Sequence, residues 1–261
     1  MELGLKGKVV LITGGSKGIG LACARAFAAE GAAVAIASRN QQNLDSAKAE
    51  FAKEGVDITT IRADLTLDAQ AKAMVAAAEH ALGPVEILVN SAGAAKRHAI
   101  EEYDTDAWHQ GMNAKYYPYV HAMDAVRPGM IARRRGAIVN IVGIGGRRAQ
   151  TAHLAGGAAN AALMLVTVGW ASALGRHGIR VNAINPAATY TGRIQQAIRL
   201  EAKEQDISEA EALLRSEASI PFGRYCKPEE VAAVALFLAS EQASYVTGAV
   251  VPMDGGAVPV I

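Results

Sequence analysis

Val9-Val-Leu-Ile-Thr13, continuing directly into Gly14-Gly-Ser-Lys-Gly-Ile-Gly20, decides how this chain is read. A short unbroken apolar run suits a strand buried on both faces. The glycines let the backbone turn sharply and come close to a bound anion. A helix pattern opens at Ile19, and a helix start presents free N–H groups and the positive end of its dipole. Strand, glycine turn and helix in that order read as a phosphate-binding loop. Its spacing is G-x-x-x-G-x-G, not the dinucleotide pattern G-x-G-x-x-G.

Outward from this loop the same alternation repeats. Further strand candidates are Ala33–Ser38, Asp57–Ala63, Glu86–Asn90, Ala137–Val142, Ile179–Ile184 and Ala249–Met253, with Lys8–Thr13 as the first. Helical stretches cover Ile19–Glu30, Gln41–Lys53, Ala69–Ala81, Thr105–Arg133, Ala158–Gly175 and Glu229–Ala239. Such units imply an α/β fold: a doubly wound, central parallel sheet of about seven strands with right-handed crossovers. No linker or composition break divides residues 1–261, so one domain is expected. Residues 190–220 break the rhythm with two charged amphipathic helices, and Ser208 with Glu211 suits a capping box. Lying at the carboxyl edge of the sheet, this segment reads as a helical substrate lid.

The chain has 261 residues, with 26 Lys+Arg against 25 Asp+Glu and only two cysteines. That balance supports neither a nucleic-acid binder nor a polybasic membrane protein. Cys23 and Cys226 cannot form a disulfide framework or a four-ligand metal site, so no metal is expected and the location reads as cytoplasmic. Ala149–Gly175 holds no charged residue and is long enough to span a bilayer. His153, Asn160, Ser172 and several glycines make it instead a helix buried against the core or a partner subunit.

Segments in order along nearly the whole chain are similar to the classical short-chain dehydrogenases/reductases. Thr13–Gly20 resembles the family's glycine signature, Asp64-Leu65 its adenine-contacting pair, and Asn90-Ser-Ala-Gly93 its turn after the fourth strand. Gly178-Ile-Arg-Val-Asn-Ala-Ile-Asn-Pro186, Pro221-Phe-Gly-Arg, Pro228-Glu-Glu-Val231 and Thr247-Gly with Asp254-Gly-Gly256 match the second half. The resemblance implies a Rossmann-like fold holding a nicotinamide cofactor. It places Gly14, Ser16, Lys17, Gly18, Ile19 and Gly20 on the pyrophosphate. Asp64, Leu65, Asn90, Ala92 and Gly93 fall on the adenosine and ribose side, and Pro186, Thr189 and Thr191 on the nicotinamide and pyrophosphate side. In such folds an acid at the end of the second strand holds the ribose 2′-hydroxyl, and a base accommodates a 2′-phosphate. Here that strand ends in Ser38-Arg39, with Lys17 nearby, which favours NADP(H) over NAD(H).

The family's chemistry uses Ser, Tyr and Lys with a helix-four Asn. Counting back from Gly178-Ile-Arg-Val without gaps, Gly143 stands for Ser, Gly156 for Tyr and Asn160 for Lys. By resemblance Asn113 is the remaining asparagine, and Asn160 still suits contact with the nicotinamide ribose. No Tyr occurs from Val120 to Thr189, so a shifted register cannot restore the motif. The expectation is an atypical NADP(H)-dependent oxidoreductase, a reductase of a carbonyl or related group on a bulky small-molecule substrate. Its proton would come from His153, Tyr190, the substrate itself, or a water held by Asn113 and Asn160. Two alternatives stand beside it: a non-redox lyase, dehydratase or cyclase on this scaffold, and a non-catalytic NADP-binding regulatory or scaffold protein. Arg147 and Arg148, beside the glycine-rich Gly143-Ile-Gly-Gly146, read as solvated loop charges, with contact to an acidic substrate as the alternative, and Cys23 reads as a packing residue. The two long helices would form the interface of a homo-oligomer, dimer or tetramer.

Overall fold

The computed structural model describes residues 2–93 and 95–259. One sheet of seven parallel strands comprises β1 (Val9–Thr13), β2 (Ala33–Ser38), β3 (Thr59–Arg62), β4 (Ile87–Asn90), β5 (Gly136–Ile141), β6 (Ile179–Pro186) and β7 (Val250–Met253). The helices are α1 (Gly18–Ala29), α2 (Gln41–Lys53), α3 (Asp68–Leu82), α4 (Thr105–Arg133), α5 (Leu154–Leu174), α6 (Gly192–Glu204), α7 (Glu209–Glu217) and α8 (Pro228–Ala239). Strand order is β3-β2-β1-β4-β5-β6-β7. The chain therefore reverses direction across the sheet between β1 and β4, and a crevice opens at their carboxyl ends. The architecture is the doubly wound, Rossmann-like sheet that the alternating pattern implies.

Alternation within each strand explains the two cores. Val10 and Ile12 of β1 join Phe27, Leu44 and Leu238 on one face. Leu11 joins Met74, Met123, Val126 and Met130 on the other. Successive side chains of a strand point to opposite faces, so a central strand must be apolar throughout. A polar ladder crosses the middle of the sheet at its carboxyl end. Thr13 Oγ1 donates to Asn90 Oδ1 at 3.2 Å, Asn90 Nδ2 to Asn140 Oδ1 at 3.0 Å, and Asn140 Nδ2 to Thr167 Oγ1 at 3.0 Å. Every buried polar atom in that chain has a partner, which is what such burial requires.

Most element ends fall within two residues of the sequence reading. Helix α5 is the exception: it begins at Leu154 rather than Ala158. Gly156-Gly157 looks like a turn by propensity, but close packing overrides propensity here. A Cβ at Gly111 of α4 would stand 2.5 Å from Ala155 Cβ, and one at Gly157 would stand 2.9 Å from Gly145 O. The first turn of α5 is thus pressed between α4 and the loop after β5. Within residues 190–220, Ser208 caps α7 by accepting from Glu211 N at 3.1 Å. Glu211 does not complete the expected capping box, because its carboxylate takes Arg215 four residues on.

Helix α5, with its flanking turns, is apolar and long enough to cross a bilayer by length and composition. In the fold its Ala155, Ala159, Leu163, Thr167 and Ala171 are buried, while Leu165 and Val168 are exposed on the opposite face.

Candidate functional site

The glycine loop lies at the crevice. Gly14 N and Gly15 N donate to Ala37 O of β2, which draws the loop across the strand ends. Gly14 has φ +68, and a Cβ there would stand 2.8 Å from the Ala92 and Ser91 backbone. A Cβ at Gly20 would stand 2.3 Å from Gly14 O. Lys17 is the extended residue preceding α1 and makes no side-chain cap. The first N–H groups of α1 therefore have no capping side chain, and Ser16 is buried beside them.

A cleft of about 140 Å³ continues from this loop. Gly14, Ser38, Arg39, Asp64, Leu65 and Ala92 line it, with Gly93, Ala114 and Pro118 behind them. The expected adenosine-side residues thus converge, apart from Asn90, whose side chain is spent within the polar ladder. The Asp64 carboxylate accepts from Thr66 N and Oγ1 at 3.1 and 2.9 Å. Thr191 comes against the glycine loop, since a Cβ at Gly18 would lie 3.4 Å from its Cγ2. Thr189 is buried at a bridge to Cys226. Pro186 ends β6, opposite Met253.

The other half of the site surrounds Gly143, Gly156 and Asn160. Gly143 adopts φ +120, and a Cβ there would lie 3.2 Å from Asn160 Nδ2. Beside Gly156 the His153 ring fills the space, its Cε1 standing 2.2 Å from where a Cβ would be. The Asn160 side chain is buried, and its Oδ1 has no partner; the same holds for Asn185 Oδ1 on β6 and for Nδ1 of His153. Burial is the largest cause holding the His153 pKa below its usual value. The nearby charge of Arg97 adds to this, with lesser effects from Lys115 and Arg193, against a backbone hydrogen bond at Lys96 that raises it. His153 is therefore neutral at pH 7.

The ring's seat gives a direct expectation. Gly→Ala in a helix normally gains about 1 kcal/mol. At Gly156 the substitution should destabilise instead, and the normal gain should reappear when His153→Ala clears the space. A double-mutant cycle by urea unfolding should give a coupling of about 1–2 kcal/mol. Additive effects would show that the ring moves aside freely.

Two sequence-named residues lie elsewhere. Asn113 is exposed. The inward stripe of α4 runs Ala107, Gly111, Lys115, Tyr119, Ala122 and Met123, and two residues off such a stripe points roughly 200° away. Tyr190 is partly exposed just before α6, with its ring 6.1 Å from that of Tyr225. Arg148 borders a second cleft, of about 610 Å³, between the loop after β5, the segment after α7 and the carboxyl-terminal turn around Asp254–Val258. Cys23 is wholly buried, and burial pushes its thiol up to about 12.

Lys115 is the functional candidate that motif reading missed. Its Nζ donates to Tyr119 Oη at 2.8 Å and to Ile141 O, at the end of β5, at 3.1 Å. The Tyr119 hydroxyl donates in turn to the same carbonyl. Lys115 is almost fully buried and belongs to no ion pair among the described residues. Burial, with the neighbouring charge of Arg193, brings its pKa down to about 7. The periodicity Gly111, Lys115, Tyr119 was the available signal: it sets one lysine on an otherwise core-facing row.

The family model described as Enoyl-(Acyl carrier protein) reductase matches residues 14–258. The chain is 36% identical to 3-oxoacyl-[acyl-carrier-protein] reductase of Thermotoga maritima, over 97% of this chain and 99% of that protein. L-Sorbose reductase from Gluconobacter frateurii, solved with NADPH and L-sorbose, superposes with a TM-score of 0.95 at 30% identity, covering 100% of both chains. NAD+-bound xylitol dehydrogenase superposes with a TM-score of 0.88 at 28% identity, covering 97% of this chain and 100% of that one.

Proposed function

Because the chain belongs to the short-chain dehydrogenase/reductase family, whose members matched here are oxidoreductases, we propose that it is an NADP(H)-dependent reductase of a carbonyl-bearing small molecule. The observation that carries this reading is the pairing of the glycine cradle with a basic end to β2. Ser38 and Arg39 line the cleft at the strand end, no carboxylate replaces them, and Lys17 stands at the start of α1. A guanidinium suits a phosphate, whereas a 2′-hydroxyl calls for an acceptor. The NADPH bound to L-sorbose reductase supports the choice, and the NAD+ bound to xylitol dehydrogenase marks the alternative to be tested.

The residues present fit such a dinucleotide. The α1 amide groups and the crowded glycines admit a pyrophosphate. The unpartnered oxygens of Asn160 and Asn185 are acceptors awaiting donors, which the carboxamide and ribose hydroxyls of a nicotinamide riboside possess. When bound, that group supplies a hydride to the substrate carbon. The chain's task is then to orient the carbonyl and protonate its oxygen. Gly143, Gly156 and Asn160 take the places that the family gives to Ser, Tyr and Lys, so no phenol serves. Neutral His153 is a weak acid at pH 7, Tyr190 leans on Tyr225, and Asn113 faces away. The Lys115 ammonium is the buried positive charge at this end of the sheet, and a water or the substrate itself supplies the proton. Residues 190–220 act as the substrate lid. The exposed Tyr117, Leu165 and Val168 on α4 and α5 support assembly as a homo-oligomer, and the two unpaired thiols suit the cytoplasm.

Equilibrium titration should find NADPH bound at least ten times more tightly than NADH. Arg39→Asp should reverse that order, since it exchanges a phosphate donor for a hydroxyl acceptor. Tighter binding of NADH by the unaltered protein would overturn the NADP(H) reading, and binding of neither would overturn the enzyme.

A further inference from the structure

The inner half of the site is unusually rich in cations. Lys115 comes from α4, Arg193 from the start of α6, and Arg97 from the loop after β4. All three act on one another or on His153 electrostatically. Among the described residues none of the three is in an ion pair, and no carboxylate contributes to the shift of either Lys115 or His153. Elsewhere arginines find acids readily, as Arg25 does with Glu50 and Arg224 with Glu230. A buried ammonium without a counter-charge is costly and ordinarily acquires a partner.

The hydrogen bonding of Lys115 leaves one donor for such a partner. An ammonium has three donors, and two acceptors account for two of them. The position is also held firmly. A Cβ at Gly93 would lie 2.2 Å from Ala114 O and 3.3 Å from Lys115 Cα, so the turn after β4 rests directly on this part of α4.

We infer that the missing counter-charge belongs to the substrate: the site takes a carbonyl compound bearing a carboxylate, which the Lys115 ammonium holds while Arg193 and Arg97 supply the surrounding positive field. This rests on the reductase reading for the place of the reacting carbon. It adds the substrate's charge, which neither the fold nor the cofactor dictates. A carboxylate beside Lys115 also restores the ammonium's charge at neutral pH, because an opposite charge favours the protonated form.

The experiment uses benzoate as the carboxylate probe and benzamide as its neutral isostere. Calorimetric titration is done on the full chain saturated with NADP+, at pH 6 and pH 8.5. Benzoate should bind at least tenfold more tightly than benzamide at pH 6. Its affinity should fall as pH rises, since the free-protein Lys115 loses its proton near 7. Lys115→Met should weaken benzoate at least tenfold and leave benzamide unchanged, and the exposed Arg193→Gln should weaken benzoate severalfold. Equal affinities for benzoate and benzamide, or full benzoate binding by Lys115→Met, would overturn the inference. NADP+ binding is scored separately in the same samples. Its loss in the unaltered protein counts against the cofactor reading, whereas its retention without benzoate discrimination counts against the anionic substrate alone.

Discussion

Lys115→Met should make the protein more stable while disarming its site, with a gain of about 4 kcal/mol at pH 6 that disappears above about pH 10. In the unfolded chain a lysine titrates near its ordinary value of 10.5; in the fold Lys115 titrates near 7. Between those values the unfolded state binds more protons than the folded one, so the native protein's stability rises with pH across that window. Below pH 7 folding must bury the charged ammonium, and the full penalty is present. Above the unfolded value both states are neutral and the penalty vanishes. Methionine has similar length, no charge, and no desolvation cost. Its loss of hydrogen bonds is small, because the Tyr119 hydroxyl continues to satisfy Ile141 O. Urea midpoints at pH 6 and pH 9.5 measure this, with Lys72→Met on the exposed face of α3 as the control. A gain of equal size at both pH values would show that packing, not charge, is responsible. A loss would show that the ammonium is balanced in the free protein. Destabilising groups that persist in a fold cluster where chemistry is done, which is why this stability measurement bears on function.

The same lysine shows where the sequence was legible and where it was not. The glycine turn after β1, the apolar strands and the alternation of elements each depend on local physics: backbone freedom, period-two burial and helix periodicity. These led directly to the sheet order's crevice and to the residues that line it. Gly143, Gly156 and Asn160 are named by an ungapped count back from β6, which runs through α5 and then through the irregular stretch between β5 and α5. Asn113 could not be placed the same way. Asn113 is named by resemblance to the helix-four asparagine, and a helix decides which residue faces inward by its angular register. The row Gly111, Lys115, Tyr119 carries that information, and a charged residue on it reads at first as an error in the row. The His153 ring over Gly156 was illegible for a different reason: it depends on the first turn of α5, which packing against α4 creates in spite of two glycines.

Gly93→Ala should be the most damaging single-methyl addition in the site, costing about 3 kcal/mol or more and abolishing nucleotide binding. Two penalties combine. Gly93 sits at φ +100, where an L side chain is strained by about 1–2 kcal/mol. The added Cβ would also stand 2.2 Å from the carbonyl oxygen of Ala114, a backbone atom that can yield only if α4 moves; overpacking of that kind costs a further 1–3 kcal/mol or so. The approach is this close because Pro118 follows four residues after Ala114. Proline has no N–H to donate, so Ala114 O lacks its usual helical partner and the helix is locally open. Relief of the clash must shift α4 at Ala114 and Lys115, and these flank both the adenosine cleft and the ammonium. NADPH affinity and benzoate affinity should therefore fall together in Gly93→Ala, whereas Lys115→Met removes only the second. Gly55→Ala provides the comparison: it shares a positive φ of +73, but its Cβ would meet nothing within 4 Å. It should show the conformational strain alone, with both ligands bound normally. If Gly93→Ala proves no worse than Gly55→Ala, the turn after β4 does not set the position of α4, and the placement of Lys115 must rest on α5 and β5 instead.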